Sequence, residues 1–176
     1  MKRIASLVVF TLILTGCASK VIPVAGKVVS CSTIEVISSP VNKIQLGCLD
    51  DGVGVNVLAI RGPAIVNVWG SWCYECQTEM PILRSFYSKS KEKLALIGVD
   101  VEEKNILDGR KYVETHGMTW PNLYDKNGTT RSNFGMGVPV TWFISPNGSV
   151  AYKKIGGFKN ELELIQLASQ YLSVSL

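Results

Sequence analysis

An apolar segment that ends in two cysteines constrains this 176-residue chain more than any other feature. Residues 64–69 are rich in β-branched side chains, which predicts a buried strand. A Gly-Ser turn follows, and Cys73 and Cys76 then stand at the start of a predicted helix. A helix N-terminus presents unpaired N–H groups and the positive end of the helix dipole, and both favour a thiolate over a thiol. This placement predicts thiol–disulfide exchange at the Cys-x-x-Cys pair.

The N-terminus predicts export. Two basic residues follow Met1, an apolar stretch runs to Leu14, and the sequence Leu-Thr-Gly-Cys ends at Cys17. This pattern predicts a signal peptide over residues 1–16, too short for a membrane span. Leu-Thr-Gly-Cys resembles the lipobox of bacterial lipoproteins, which implies lipid on Cys17 and a lipidated tether over residues 17–26 that binds a membrane surface. An ordinary signal peptide, or an uncleaved anchor with an incidental cysteine, is the alternative.

The cysteine count supports an exported protein. Five cysteines are an odd number, and a lipidated Cys17 leaves four for pairing in an oxidising compartment. Cys31 and Cys48 lie outside the Cys-x-x-Cys motif, and we predict a structural disulfide between them. A second redox pair that relays electrons to Cys73 and Cys76, or a four-cysteine zinc site, is the alternative.

Composition and charge narrow the function classes. Apolar residues make up 47% of the chain and charged residues 18%, as in a globular protein. The net charge is +4, but the basic residues are scattered and form no stripe with aromatic residues. The sequence therefore predicts no nucleic-acid partner, and it contains no motif that calls for a cofactor or a resident metal.

The remaining segments alternate between strand and helix patterns. Strands over 44–49 and 53–58, joined by an Asp-Asp-Gly turn, predict a hairpin before the central strand. After the cysteines, the pattern predicts a helix over 73–91 that contains Pro81, a strand over 94–100, a helix over 105–116, a strand over 120–124, a helical turn over 129–134, strands over 140–145 and 150–155, and a helix over 160–172. This order predicts an α/β fold over residues 27–176, with a mixed central sheet flanked by helices.

Three features together resemble the thioredoxin superfamily: Trp72 before the Cys-x-x-Cys motif, Pro81 inside the helix, and Val138-Pro139 before a strand. Over about residues 44–172, the chain is similar to the membrane-tethered, extracytoplasmic TlpA/ResA-like branch. The resemblance implies a three-layer thioredoxin-like fold with an N-terminal hairpin extension. It also implies a protein-disulfide oxidoreductase.

The resemblance implies a role for each residue of the site. Cys73 would be the exposed nucleophile and Cys76 the buried resolving cysteine. Pro139 would form a cis peptide bond, face the disulfide and keep the thiols from capturing a metal, while the backbone of Val138 pairs with the substrate main chain. Trp72 would offer an apolar contact surface, or else serve packing alone.

Three polar residues shape the expected chemistry. Asn67 occupies the position of the buried aspartate of ordinary thioredoxins, as is usual in the TlpA/ResA-like branch, and cannot accept a proton from Cys76. Glu75, between the cysteines, is expected to raise the pKa of Cys73, which favours a reductant or mid-potential enzyme; the alternative is that it points to solvent and has little effect. Glu79 is a proton-shuttle candidate, although the sequence favours an ordinary surface carboxylate.

These observations predict an extracytoplasmic enzyme that is lipid-anchored to a bacterial membrane. Its expected partners are disulfide-bearing exported proteins, with apocytochrome c as one substrate implied by the resemblance, and a membrane thiol–disulfide electron donor. A thiol peroxidase of the same fold is an alternative that needs an arginine near the cysteine, where Arg84 is the nearest in sequence. A copper-binding chaperone is another alternative, but it uses Cys-x-x-x-Cys and a distal histidine, and His116 is the only histidine.

Overall fold

A computed structural model of the chain describes residues 25–38, 42–135 and 137–176. The predicted signal peptide, Cys17 and all but the last two residues of the predicted tether lie outside the described residues. The strands are β1 (Gly47–Cys48), β2 (Ala64–Trp69), β3 (Ala95–Val101), β4 (Asn122–Asp125), β5 (Val140–Ile144) and β6 (Val150–Ile155). The helices are α1 (Tyr74–Ser90), α2 (Ile106–Thr115), α3 (Arg131–Phe134) and α4 (Glu161–Leu172).

The six strands form one mixed sheet in the order β1-β4-β3-β2-β5-β6. Strands β2, β3 and β4 run parallel, whereas β1, β5 and β6 pair antiparallel with their neighbours. All six residues of β2 are buried, as expected for a strand covered on both faces. This architecture confirms the predicted thioredoxin-like α/β fold class.

Two apolar clusters, one on each face of the sheet, make up the core. Ile65 and Trp69 of β2 contribute to the cluster that also holds buried residues of α1, α2 and α4. Val66 and Val68, which point the other way because side chains alternate along a strand, belong to the second cluster. The N-terminal extension and Phe134 of α3 cover this second face.

The predicted hairpin is shorter than the sequence pattern indicates. Gln45 bridges Asn56, and the amide of Leu46 donates to the carbonyl of Val55 at 3.1 Å. The second strand does not reach Leu58 as predicted, because the side chain of Asn56 accepts a hydrogen bond from the Leu58 amide at 3.1 Å. That contact caps a 3-10 turn over Val57–Ala59 and ends the extended backbone.

Cys31 and Cys48 form the predicted disulfide. Cys31 lies in a 3-10 turn, Cys31–Thr33, and Cys48 ends β1, so the bond ties the extension to the edge of the sheet. The two residues are 1% and 2% exposed. Both sulfurs lie beside the carbonyl oxygen of Asn122, at 3.4 and 3.6 Å.

The first described residues join the domain at the end of α2. The amide of Gly26 donates to the carbonyl of Glu114 at 2.7 Å, and the amide of Lys27 donates to that of Met118 at 2.8 Å. The predicted tether is therefore already fixed to the domain at its last residue. Within the part of the chain that the structure describes, no helix combines the length and hydropathy that a membrane crossing requires.

Candidate active site

The Cys73–Cys76 disulfide lies where β2 passes into α1. Cys73, the predicted first residue of the helix, is instead the N-cap of α1, which begins one residue later, and its sulfur accepts a hydrogen bond from the Cys76 amide at 3.1 Å. Cys73 is 6% exposed and Cys76 is 0% exposed. Cys73 is therefore the more accessible residue of the pair, but in the disulfide state it is buried and not exposed as predicted.

Two exposed aromatic side chains flank Cys73. Trp72 is 55% exposed, and its indole N–H donates to the carbonyl of Val101 at 3.2 Å. Tyr74 is 77% exposed. A shallow depression beside Trp72 is lined by the apolar side chains of Val68, Val101, Phe134 and Val138, and also by the ion pair of Glu102 and Arg131. The rim of the site thus offers apolar surface to a partner chain.

The Val138–Pro139 peptide bond is cis, as predicted. Val138 is half-buried and Pro139 is buried. The carbonyl of Pro139 accepts a hydrogen bond from the amide of Gly156, just after β6, at 3.0 Å. The role of Val138 in pairing with a substrate main chain stays a prediction.

Glu79 is buried, so the favoured interpretation as a surface carboxylate is wrong. The side chain is 1% exposed, and its two oxygens bond to different elements. One oxygen accepts from the side-chain amide of Asn67 at 2.9 Å, and the other accepts from the backbone amide of Phe158 at 3.2 Å. The Asn67 amide also donates to Thr141 on β5 at 3.1 Å. Asn67, which stands where ordinary thioredoxins have an aspartate, thus donates a hydrogen bond to the buried carboxyl group of Glu79.

Burial raises the pKa of Glu79 from 4.5 to about 7, against the opposing hydrogen bonds from Asn67 and Phe158. This pKa lets the carboxyl group gain or lose a proton near neutral pH. Glu79 follows Cys76 by one helical turn on α1, so the two buried residues lie on the same helix face. The arrangement can move a proton to or from the interior.

We expect the stability of the Glu79→Gln variant to depend less on pH than that of the wild type. Because the pKa of Glu79 is raised on folding, its contribution to the free energy of unfolding is fully present below about pH 4.5 and is lost as the pH rises through about 7. A shift of this size corresponds to about 3 kcal/mol at 1.36 kcal/mol per unit. Urea unfolding of the oxidised protein at pH 4.5 and pH 8 measures the effect. Equal pH dependence in the wild type and the variant would contradict the assignment.

Glu75 is exposed on the first turn of α1, and its backbone carbonyl accepts from the Thr78 hydroxyl at 2.9 Å. Its effect on Cys73 stays a prediction. Sequence reasoning missed a second carboxylate at the site, Glu103, which accepts from the amide of Ser71 at 2.5 Å and from its hydroxyl at 2.8 Å. The acidic run after β3 could have indicated it, because the carboxyl ends of parallel neighbours meet at one edge of a sheet.

One group of described residues has ligand atoms close enough for a metal. Cys31, Cys48 and Asp50 place these atoms within 4.8 Å of one another. The two sulfurs are bonded to each other, so in this state they cannot act as thiolate ligands.

The chain is similar in sequence to proteins that are named for thiol–disulfide chemistry. The chain is 31% identical over 88 residues to the thiol-disulfide oxidoreductase ResA of Oceanobacillus iheyensis, covering 49% of this chain and 45% of that protein. It is 30% identical over 114 residues to the thiol:disulfide interchange protein DsbE of Pseudomonas fluorescens, covering 64% of this chain and 62% of that protein. The chain thus spans about half to three fifths of the length of these two relatives.

Structural similarity and a family match complete the comparison. The crystal structure of a secreted thiol-disulfide isomerase from Corynebacterium glutamicum superposes with a TM-score of 0.66 at 18% identity, over 76% of this chain and 85% of that one. This similarity confirms the fold. A sequence model of the AhpC/TSA family matches residues 38–153, about two thirds of the chain. With its thioredoxin-like fold and its Cys-x-x-Cys disulfide at a helix start, the chain belongs to the AhpC/TSA family.

Proposed function

We propose that this protein is an extracytoplasmic, lipid-anchored thiol–disulfide oxidoreductase that reduces disulfides in exported proteins. The observation that carries the proposal is the Cys73–Cys76 disulfide at the start of α1, with the first sulfur the more exposed. The two relatives described above, at 31% and 30% identity, are named as a thiol-disulfide oxidoreductase and a thiol:disulfide interchange protein, which supports the same chemistry here.

The proposed reaction moves two electrons to the substrate. The Cys73 thiolate attacks one sulfur of a substrate disulfide, forms a mixed disulfide and releases the other substrate sulfur as a thiolate. Cys76 then loses its proton and attacks the Cys73 sulfur. The second substrate sulfur also leaves as a thiolate, both substrate thiolates take protons from the solvent, and the protein retains the Cys73–Cys76 disulfide. Glu79, whose pKa is about 7, is the buried group that accepts the Cys76 proton.

The partners follow from the direction of electron flow. A protein that reduces its substrates must itself be reduced again, so the proposal includes a thiol–disulfide electron donor in the membrane. Exported proteins with disulfides are the substrates, and apocytochrome c is the specific candidate that the resemblance suggests. Lipid on Cys17 would hold the enzyme at the membrane surface.

The reduction potential of the Cys73–Cys76 couple tests the proposed direction. Equilibration of the purified full chain with glutathione is expected to give a potential of about −200 mV or lower, whereas a value near −120 mV, typical of a strong oxidant, would contradict it. Mass analysis of the mature N-terminus tests the anchor separately. An unmodified Cys17 would remove the anchor and leave the redox chemistry intact.

We expect Glu75→Gln to make the couple more oxidising. Removal of a negative charge beside Cys73 favours its thiolate and so the reduced state. Because Glu75 is exposed, we expect a change of only about 5–20 mV, from about 0.2–1 kcal/mol for an exposed charge pair. Glutathione equilibration measures it, with Glu92→Gln, an exposed carboxylate beyond the C-terminal end of α1, as the matched control. A shift in the opposite direction would contradict the expectation.

The positions of two side chains disfavour the alternative functions. Arg84 donates to the carbonyl of His116 at 3.2 Å, at the C-terminal end of α2, and so lies at the opposite end of the fold from the disulfide. A thiol peroxidase needs its arginine beside the reactive cysteine. His116 lies at the same remote end, where its ring stacks on Tyr112, and is not placed to join the two cysteines in a copper site.

A further inference from the structure

Asp100 is a buried acid that accepts no hydrogen bond. It lies on β3 opposite Trp69, is 0% exposed, and within the described ranges no donor reaches either carboxyl oxygen. Space for the group is provided by Gly109 of α2, since a Cβ there would lie 1.9 Å from one Asp100 oxygen. A buried carboxylate without donors is costly, so the ionised form of Asp100 is disfavoured.

Glu103, three residues after Asp100, differs from it because hydrogen-bond donors reach both of its carboxyl oxygens. It is 6% exposed, and its two oxygens accept hydrogen bonds from the amide and the hydroxyl of Ser71. Both oxygens of Glu103 therefore act as hydrogen-bond acceptors. Ser71 lies two residues before Cys73, so Glu103 holds the loop that carries the reactive sulfur.

The charges around Asp100 favour its neutral form. Glu103 and Asp108 of α2 are the charged groups that act on it, and both are negative. Tyr124 of β4 is the titratable neighbour on the next strand. Arg110 of α2 donates instead to the carbonyl of Leu49 at 2.5 Å. Burial raises the pKa of Asp100 to about 9, and the negative charge of Glu103, which lies within hydrogen-bonding reach of Asp100, adds to this effect.

We propose that Asp100 is protonated in the folded protein and donates its proton to Glu103, so that the pair positions the Ser71–Trp72 segment for reaction at Cys73. Two carboxylates can share a hydrogen bond only when one of them carries a proton. Asp100 is therefore a positioning residue, since it acts on the sulfur through Glu103 and Ser71. This inference rests on the proposed role of Cys73 as the attacking thiol.

Proton linkage tests the protonation of Asp100. Asp100→Asn keeps a donor for Glu103 but removes the proton that the folded state retains. The stabilisation of the folded state by the Asp100 carboxyl group is fully present below about pH 4 and is lost as the pH rises towards 9. From pH 5 to pH 8, the ratio of wild-type to variant folding constants, from urea unfolding of the oxidised full chain, is expected to fall about tenfold per pH unit. A constant ratio would overturn the proposal.

Exchange kinetics test the positioning role. We expect reduced Asp100→Leu, which leaves Glu103 without its donor, to react with oxidised glutathione about tenfold more slowly than the wild type. Asp100→Asn is expected to stay within about twofold, because its amide replaces the donor. Equal rates for the two variants would overturn the positioning role. If Asp100→Leu does not fold, the pH dependence of Asp100→Asn still decides the protonation. Inactivity of the wild type itself would contradict the proposed function instead.

Discussion

Replacing Cys73 with serine is expected to abolish thiol–disulfide exchange, with a loss of roughly 10³-fold or more in rate. The hydroxyl of serine is not ionised at neutral pH and cannot form a mixed disulfide, whereas the sulfur at this N-cap position receives the amide of Cys76 and the positive end of α1. Reduction of a protein disulfide such as that of insulin, followed by turbidity, measures the loss.

Cys76→Ser is the matched control, because it changes the same atom at the buried position. This variant keeps the attacking sulfur but cannot release the substrate, so a mixed disulfide through Cys73 is expected to accumulate and to be visible in the intact mass. An adduct that forms on Cys76 of the Cys73→Ser variant, and none on Cys73, would reverse the assigned roles.

Removal of the second disulfide is expected to destabilise the fold without changing its chemistry. Cys31 and Cys48 are 17 residues apart, and a loop of this size contributes about 3 kcal/mol in the chain-entropy description. We therefore expect the Cys31→Ala, Cys48→Ala double variant to lose about 3 kcal/mol in its free energy of unfolding. Urea unfolding of the protein with Cys73–Cys76 oxidised measures the difference.

The exchange rate of the same variant separates a structural disulfide from an electron relay. Both sulfurs are buried, and they belong to the apolar cluster on the face of the sheet opposite to that of Cys76. Below the unfolding transition, the rate is expected to stay within about twofold of the wild type. A large loss of exchange in the folded variant would instead support the relay that the sequence left open.

Local patterns predicted most of the secondary structure. The strand over 150–155 matches β6, and the predicted helices over 105–116 and 160–172 lie within a residue or two of α2 and α4. Asn105 and Asn160 cap these two helices through their side chains. Such elements are predictable because a run of neighbouring residues determines both the periodicity and the cap.

Contacts between residues far apart in the chain could not be predicted from local sequence patterns. Glu79 lies on a helix whose sequence alone does not distinguish a surface position from the core. Its burial depends on donors from β2 and from the segment after β6, 12 and 79 residues away in the chain. The Asp100–Glu103 pair likewise depends on the pairing of β2 with β3 and on the gap at Gly109. The roles of these acidic residues can be inferred only once the arrangement of the strands is known.

The attachment of Gly26 and Lys27 has a consequence for electron delivery. The chain enters the domain at the C-terminal end of α2, whereas the disulfide lies at the opposite end, where β2 ends. Ten residues of α2 separate these ends by about 15 Å, at 1.5 Å per residue. If lipid holds the N-terminus at a bilayer, the chain joins the domain at the end remote from the reactive sulfur. A donor embedded in the membrane then reaches that sulfur only in orientations that turn the disulfide end of the domain toward the bilayer.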